Sequence, residues 1–194
     1  MELKRKIIAA FTLGYFLSVL RQQLLIEKSS FGNHRHSMII FLHREIVLTA
    51  SDLIKEVFEE EILSSPSIKS LDDLKNFLDE VFKIVSEKIQ RGGESFLEIS
   101  FYSGGVLGFV ESLEETQFDQ RKLLMIIYEL LQMLGINTGW IELERIVTNL
   151  TSHKTDSRRR SRNELFTMIC SAHANYKKVF DIQHAVEDPP FFWN

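Results

Sequence analysis

Residues 70–93 read SLDDLKNFLDEVFKIVSEKIQRGG, and this stretch decides the fold class. Leu71, Leu74, Phe77, Leu78, Val81, Phe82, Val85 and Ile89 recur every three or four positions, which lays one apolar stripe along a helix and fits no strand. Ser70 offers an N-cap oxygen, and Asp72 and Asp73 set negative charge against the free amides of the first turn. Lys88 and Arg91 stand near the carbonyl end, where Gly92-Gly93 stops the run.

The same reading extends outward. Between Ser51 and Leu63, Leu53, Ile54, Val57, Phe58 and Ile62 share one face, with Lys55, Glu56, Glu59, Glu60 and Glu61 on the other. Asp119 to Leu134 carries a second strong stripe ended by Gly135, and a further helix is expected after Thr138 or Asn137. Ser152 to Arg160 is polar and charged and reads as a loop, after which Ser161 and Glu164 form a capping-box pattern for a helix running to about Val186. Two stretches leave strands open: Met38–Leu48 is continuous and β-branched, and Glu94–Tyr102 alternates apolar with polar residues before Gly104-Gly105, which reads as a turn. The expectation is an all-α bundle or short helical array of about seven helices over residues 1–187, followed by an aromatic tail at 188–194. An α+β fold with a small sheet from 38–48 and 94–102 is the alternative.

Glu2 to about Lys28 is apolar on nearly every face, which places it at the centre of a fold or against a partner. Lys4-Arg5-Lys6 before Ile7–Leu20 has the order of a signal peptide's first two regions, but Arg21-Gln22-Gln23 follows in place of a small-residue cleavage site. The run is also too short to span a bilayer as a straight helix, so a buried first helix is favoured over a membrane anchor. The lone Cys170 cannot form an internal disulfide, which favours a reducing, intracellular compartment.

The net charge of −4 is segregated along the chain. Met1–Arg44 holds seven Lys and Arg against two acids, Glu45–Glu129 eighteen acids against eight bases, and Thr151–Lys178 seven bases against two acids. Complementary packing of oppositely charged helices accounts for this pattern more simply than separate partner surfaces do.

No stretch carries a recognisable catalytic motif. His34, His36, His43 and Glu45 lack the spacing of a zinc-binding helix, and neither Gly92-Gly93 nor Gly104-Gly105 fits a phosphate loop. Cys170 and His173 lie three apart, within reach of a thiol–imidazole pair, but nothing nearby supplies the orienting group and oxyanion donors that nucleophilic catalysis needs. No cofactor and no metal are expected.

Two features suit a partner. Lys154, Arg158, Arg159, Arg160 and Arg162 would suit phosphate or nucleic acid if they stood on a loop beside a helix N-terminus, and Arg158-Arg159-Arg160-Ser161 has the form of a kinase site. Asp188-Pro189-Pro190 followed by Phe191, Phe192 and Trp193 has the form of an anchor peptide for a groove. The functional expectation is therefore a non-enzymatic helical protein-protein interaction module, a subunit of a larger complex, that binds a protein partner or a second copy of itself. A nucleic-acid-binding accessory factor acting through 154–162 is the alternative.

Overall fold

A computed structural model describes residues 2–26, 30–61, 63–64, 66–112, 119–171 and 173–187, together with the backbone but not the side chains of 31, 111 and 112. The described residues form nine helices and no strand: α1 (Glu2–Leu25), α2 (Ser30–Phe41), α3 (His43–Phe58), α4 (Leu71–Gly92), α5 (Ser95–Ser112), α6 (Gln120–Met133), α7 (Trp140–Leu150), α8 (Thr155–Cys170) and α9 (Tyr176–Glu187).

The architecture grows from α1. Ile7 to Leu17 are buried without interruption, and α1 touches α2, α3, α4, α5, α8 and α9, while α6 and α7 join through their neighbours α5 and α8. Among the described residues α1 is the one helix long and apolar enough to cross a membrane, and 78% of its most apolar window is covered by the rest of the molecule.

Its closest neighbour is α5, and the contact is made backbone to backbone. A Cβ placed on Gly104 would fall 1.9 Å from the carbonyl oxygen of Phe11, and one on Gly14 would fall 2.0 Å from that of Phe101. One turn further, a Cβ on Gly108 would come within 2.8 Å of the Tyr15 carbonyl oxygen. Because the matched positions rise together along both chains, α1 and α5 run parallel. Each interior glycine costs a helix about 1 kcal/mol relative to alanine, a penalty offset here by the dispersion contacts of two helices in backbone contact.

This contact explains why Glu94–Tyr102 is helical and not a strand. The buried face of α5 is Leu97, Ser100, Phe101, Ser103, Gly104 and Leu107, a helical stripe half composed of small residues that do not register as hydrophobic. Ser100 and Ser103 donate their hydroxyls to the carbonyl oxygens of Phe96 (2.6 Å) and Ile99 (2.5 Å), so both are satisfied within the helix. Gly104-Gly105 lies inside α5 and is not a turn. Met38–Leu48 likewise belongs to α2 and α3, with a one-residue break at Leu42.

Other boundaries also move. The amphipathic 51–63 stretch is the second half of α3, which ends at Phe58 with Glu59 in a left-handed conformation (φ 59°). Gly139, not Thr138 or Asn137, caps α7. α8 begins at Thr155, so most of the expected 152–160 loop is helical, and Ser161 lies buried in mid-helix and caps nothing. The helix expected to reach Val186 is two helices, α8 ending at Cys170 and α9 beginning at Tyr176, which contributes to a count above the expected seven. α4 matches its sequence reading closely: Ser70 accepts from the Asp73 amide at 3.1 Å and Asp73 accepts from the Ser70 amide at 2.9 Å, a reciprocal capping box.

The segregated charges meet across helix contacts. Lys6 of α1 pairs with Glu59 (2.7 Å), Arg21 with Asp79 of α4 (3.0 Å), and Lys178 of α9 with Asp52 of α3 (2.7 Å). These pairs are partly exposed and screened by solvent, so they serve mainly to set which faces meet.

Candidate interaction groove

The residues that sequence alone marked for chemistry face inward or apart. Cys170 is fully buried with its sulfur 3.2 Å from the Thr12 hydroxyl, and burial pushes the thiol up to about 12. His173 turns to the opposite neighbour, Glu56 on α3, with Nε2 2.8 Å from Oε2. A nucleophile needs a thiolate and a base within reach, and this pair supplies neither. Iodoacetamide at pH 8 is therefore expected to label native Cys170 at least about a thousandfold more slowly than an exposed cysteine, with full labelling only in denaturant. Rapid native labelling, read by mass spectrometry, would restore Cys170 as a candidate nucleophile.

His43 Nδ1 lies 2.7 Å from the Ile40 carbonyl oxygen, as a helix-end histidine does, and His34 and His36 stand half-buried on α2. Among the described residues no three His, Cys, Asp or Glu side chains converge as a metal site requires.

The basic stretch is divided by α8. Lys154, Arg159 and Arg160 are exposed, but Arg158 and Arg162 are buried. The Arg162 guanidinium, its side chain 6% exposed, donates to Glu187 at 3.4 Å. Glu187 also accepts from Gln183 (2.9 Å), and Gln183 in turn accepts from the Tyr15 hydroxyl (2.7 Å). A chain of polar contacts thus ties α8 and α9 to the middle of α1, and burial raises the Tyr15 hydroxyl above its ordinary value. Ser161, 1% exposed, is out of reach of a kinase while α8 is folded. Phe191, Phe192 and Trp193 lie outside the described residues.

A feature the sequence reading did not assemble is an open groove of about 310 Å³ between α1, α4 and α5. Its floor is aromatic. Phe82 of α4 and Phe101 of α5 have ring centroids 5.5 Å apart, and Tyr102 meets Phe101 edge-on at 5.5 Å. Phe109, 38% exposed, stands two turns further along α5, and Gly105 between them has no side chain to fill the floor. One cation marks the rim: Arg21 stacks over Phe82 at 5.9 Å while its Nε meets Asp79. The described lining of the groove is mostly apolar and aromatic. It can hold apolar side chains and present one guanidinium to a carboxylate.

Its components come from three stretches about twenty to ninety residues apart in sequence, and its aromatic residues read as ordinary core, each on its own helix. A second exposed cluster, Trp140 (48%) against Tyr128 at 5.5 Å with Ile141 (84%) beside it, marks the start of α7. Comparison of the chain with models of protein families, with curated proteins and with solved structures finds no match.

Proposed function

We propose that the protein is a non-enzymatic helical module that binds another protein by seating an amphipathic helix of that partner in the α1–α4–α5 groove. The observation that carries this reading is the aromatic floor, open to water and with the Arg21 guanidinium at its rim. An apolar concavity of this kind marks an interaction site more often than a packing fault. From Phe101 to Phe109 the groove follows two turns of α5, about 12 Å, which matches apolar anchors one and two turns apart on a docked helix. Arg21 adds a charge preference. Its side chain is close to half exposed, so an acidic residue beside the partner's anchors can share the guanidinium with Asp79.

Phe109→Glu tests the reading, because Phe109 is exposed enough to change without opening the core. Partners captured on the wild-type protein, once purified, are expected to bind Phe109→Glu at least roughly thirtyfold more weakly, the loss of one central apolar anchor, with helical circular dichroism unchanged. A purified partner that binds both proteins equally would refute the groove as the site. Alanine at Phe191, Phe192 and Trp193 in the same assay reports whether the tail shares in binding. The alternative, nucleic-acid binding, rests on Lys154, Arg159 and Arg160 at the start of α8, a helix that begins without a side-chain cap. It would show instead as affinity for DNA or RNA falling steeply with salt.

A further inference from the structure

His173 occupies the turn between α8 and α9, and its side chain is 1% exposed. Its Nδ1 accepts the backbone N–H of Asn175 at 3.0 Å, so the neutral ring carries its proton on Nε2, toward Glu56. Nε2 stands 2.8 Å from Glu56 Oε2, but that oxygen lies off the N–H direction, and both atoms are sealed from solvent without an aligned hydrogen bond. The other carboxylate oxygen accepts the Asn175 side-chain amide at 3.1 Å and lies 4.0 Å from Arg5 of α1. One buried ring and one carboxylate thus hold a turn of α8–α9 against both α3 and α1.

We infer that Glu56, His173 and Asn175 form an acid-operated latch on the turn at His173–Asn175. The ring can take a second proton only at Nδ1, and once it does, two N–H groups face each other where a hydrogen bond was. The imidazolium gains attraction to Glu56 but gives up the bond that shapes the turn, so the turn must open for the new N–H to find an acceptor. The charges around the ring work in both directions. α3 presents Glu56, which favours the cation, and α1 presents Arg5, which opposes it. Lys6 is taken up by Glu59, and Lys178 of α9 by Asp52. Burial, the largest influence, holds the imidazole below its ordinary value. The latch is therefore complete above the unfolded-chain value near 6.5 and is lost as the pH falls below it. The opening is local, because Val179, Ile182 and Val186 anchor α9 in the core through contacts that do not titrate.

Hydrogen exchange from pH 7.5 to 5, corrected for the intrinsic chemical rate, tests the latch. The Asn175 amide is expected to lose at least tenfold in protection with a midpoint below 6.5, while the amides of Val179 and Ile182 stay protected. His173→Gln removes the pH dependence, and Glu56→Gln moves the midpoint lower by removing the charge that favours the cation. Protection of Asn175 that does not change with pH, or the same profile in His173→Gln, would overturn the latch. If His173→Gln does not fold, an unmoved midpoint in Glu56→Gln would overturn it equally.

Discussion

Replacing Gly104 by alanine is expected to cost at least about 3 kcal/mol, the upper end of ordinary overpacking and a large part of the 5–15 kcal/mol that holds a domain together. The added methyl would sit 1.9 Å from the Phe11 carbonyl oxygen, a backbone atom that no rotamer change can move aside. The helices must separate, and separation loosens contacts along the whole α1–α5 seam. Gly14→Ala should cost a similar amount, for its methyl would meet the Phe101 carbonyl oxygen at 2.0 Å. Because both changes act on one seam, the double variant should lose less than the sum, the second methyl entering a gap the first has opened. Gly92→Ala is the control: nothing lies within 4 Å of its added Cβ, and alanine in the last turn of α4 should be neutral or stabilising by up to about 1 kcal/mol. Urea unfolding of the four variants and the wild type gives the comparison. Equal stability for Gly104→Ala and wild type would mean that the two backbones do not approach as described.

The second large effect is expected at Arg162. Methionine there keeps the length of the side chain and removes the charge, leaving Glu187, only 17% exposed, without the guanidinium that faces it. Breaking one side of a buried pair typically costs 3–5 kcal/mol; with a 3.4 Å separation and some solvent at Glu187, about 2–3 kcal/mol is expected here, a fall of roughly 5–10 °C in Tm. Combining Arg162→Met with Glu187→Gln should recover part of the loss, since the second change removes the stranded charge. Thermal melts of the two single variants and the double variant close the cycle, and additive losses would show that the two residues do not act as a pair. This result also bears on function. If Arg162 were a phosphate-binding residue on a free loop, its removal would leave Tm unchanged.

The parts of the fold that were legible from sequence are those whose buried face is made of large apolar side chains. α4 shows its stripe, its Ser70 cap and its glycine stop without any knowledge of its neighbours, and α6 shows its stripe and its stop near Gly135 in the same way. α5 was ambiguous for a physical reason. Its inner face carries Ser100, Ser103, Gly104 and Gly108, residues chosen for closeness to α1, and closeness is a property of a pair of helices that neither sequence displays alone. α8 misled in the opposite sense. Arg158, Ser161 and Arg162 are polar yet buried, so the inward face of the helix has the composition of a loop until Glu187 is known to lie opposite. The groove was illegible for the same reason as α5: Arg21, Phe82 and Phe109 belong to three helices, and nothing in the sequence links them.

The groove reading meets its most direct test in hydrogen exchange of the protein with and without a purified partner. The account predicts new protection over residues 78–86 of α4 and 101–109 of α5. Protection confined to the start of α8, or a bound complex in which the groove exchanges as it does in the free protein, would contradict it.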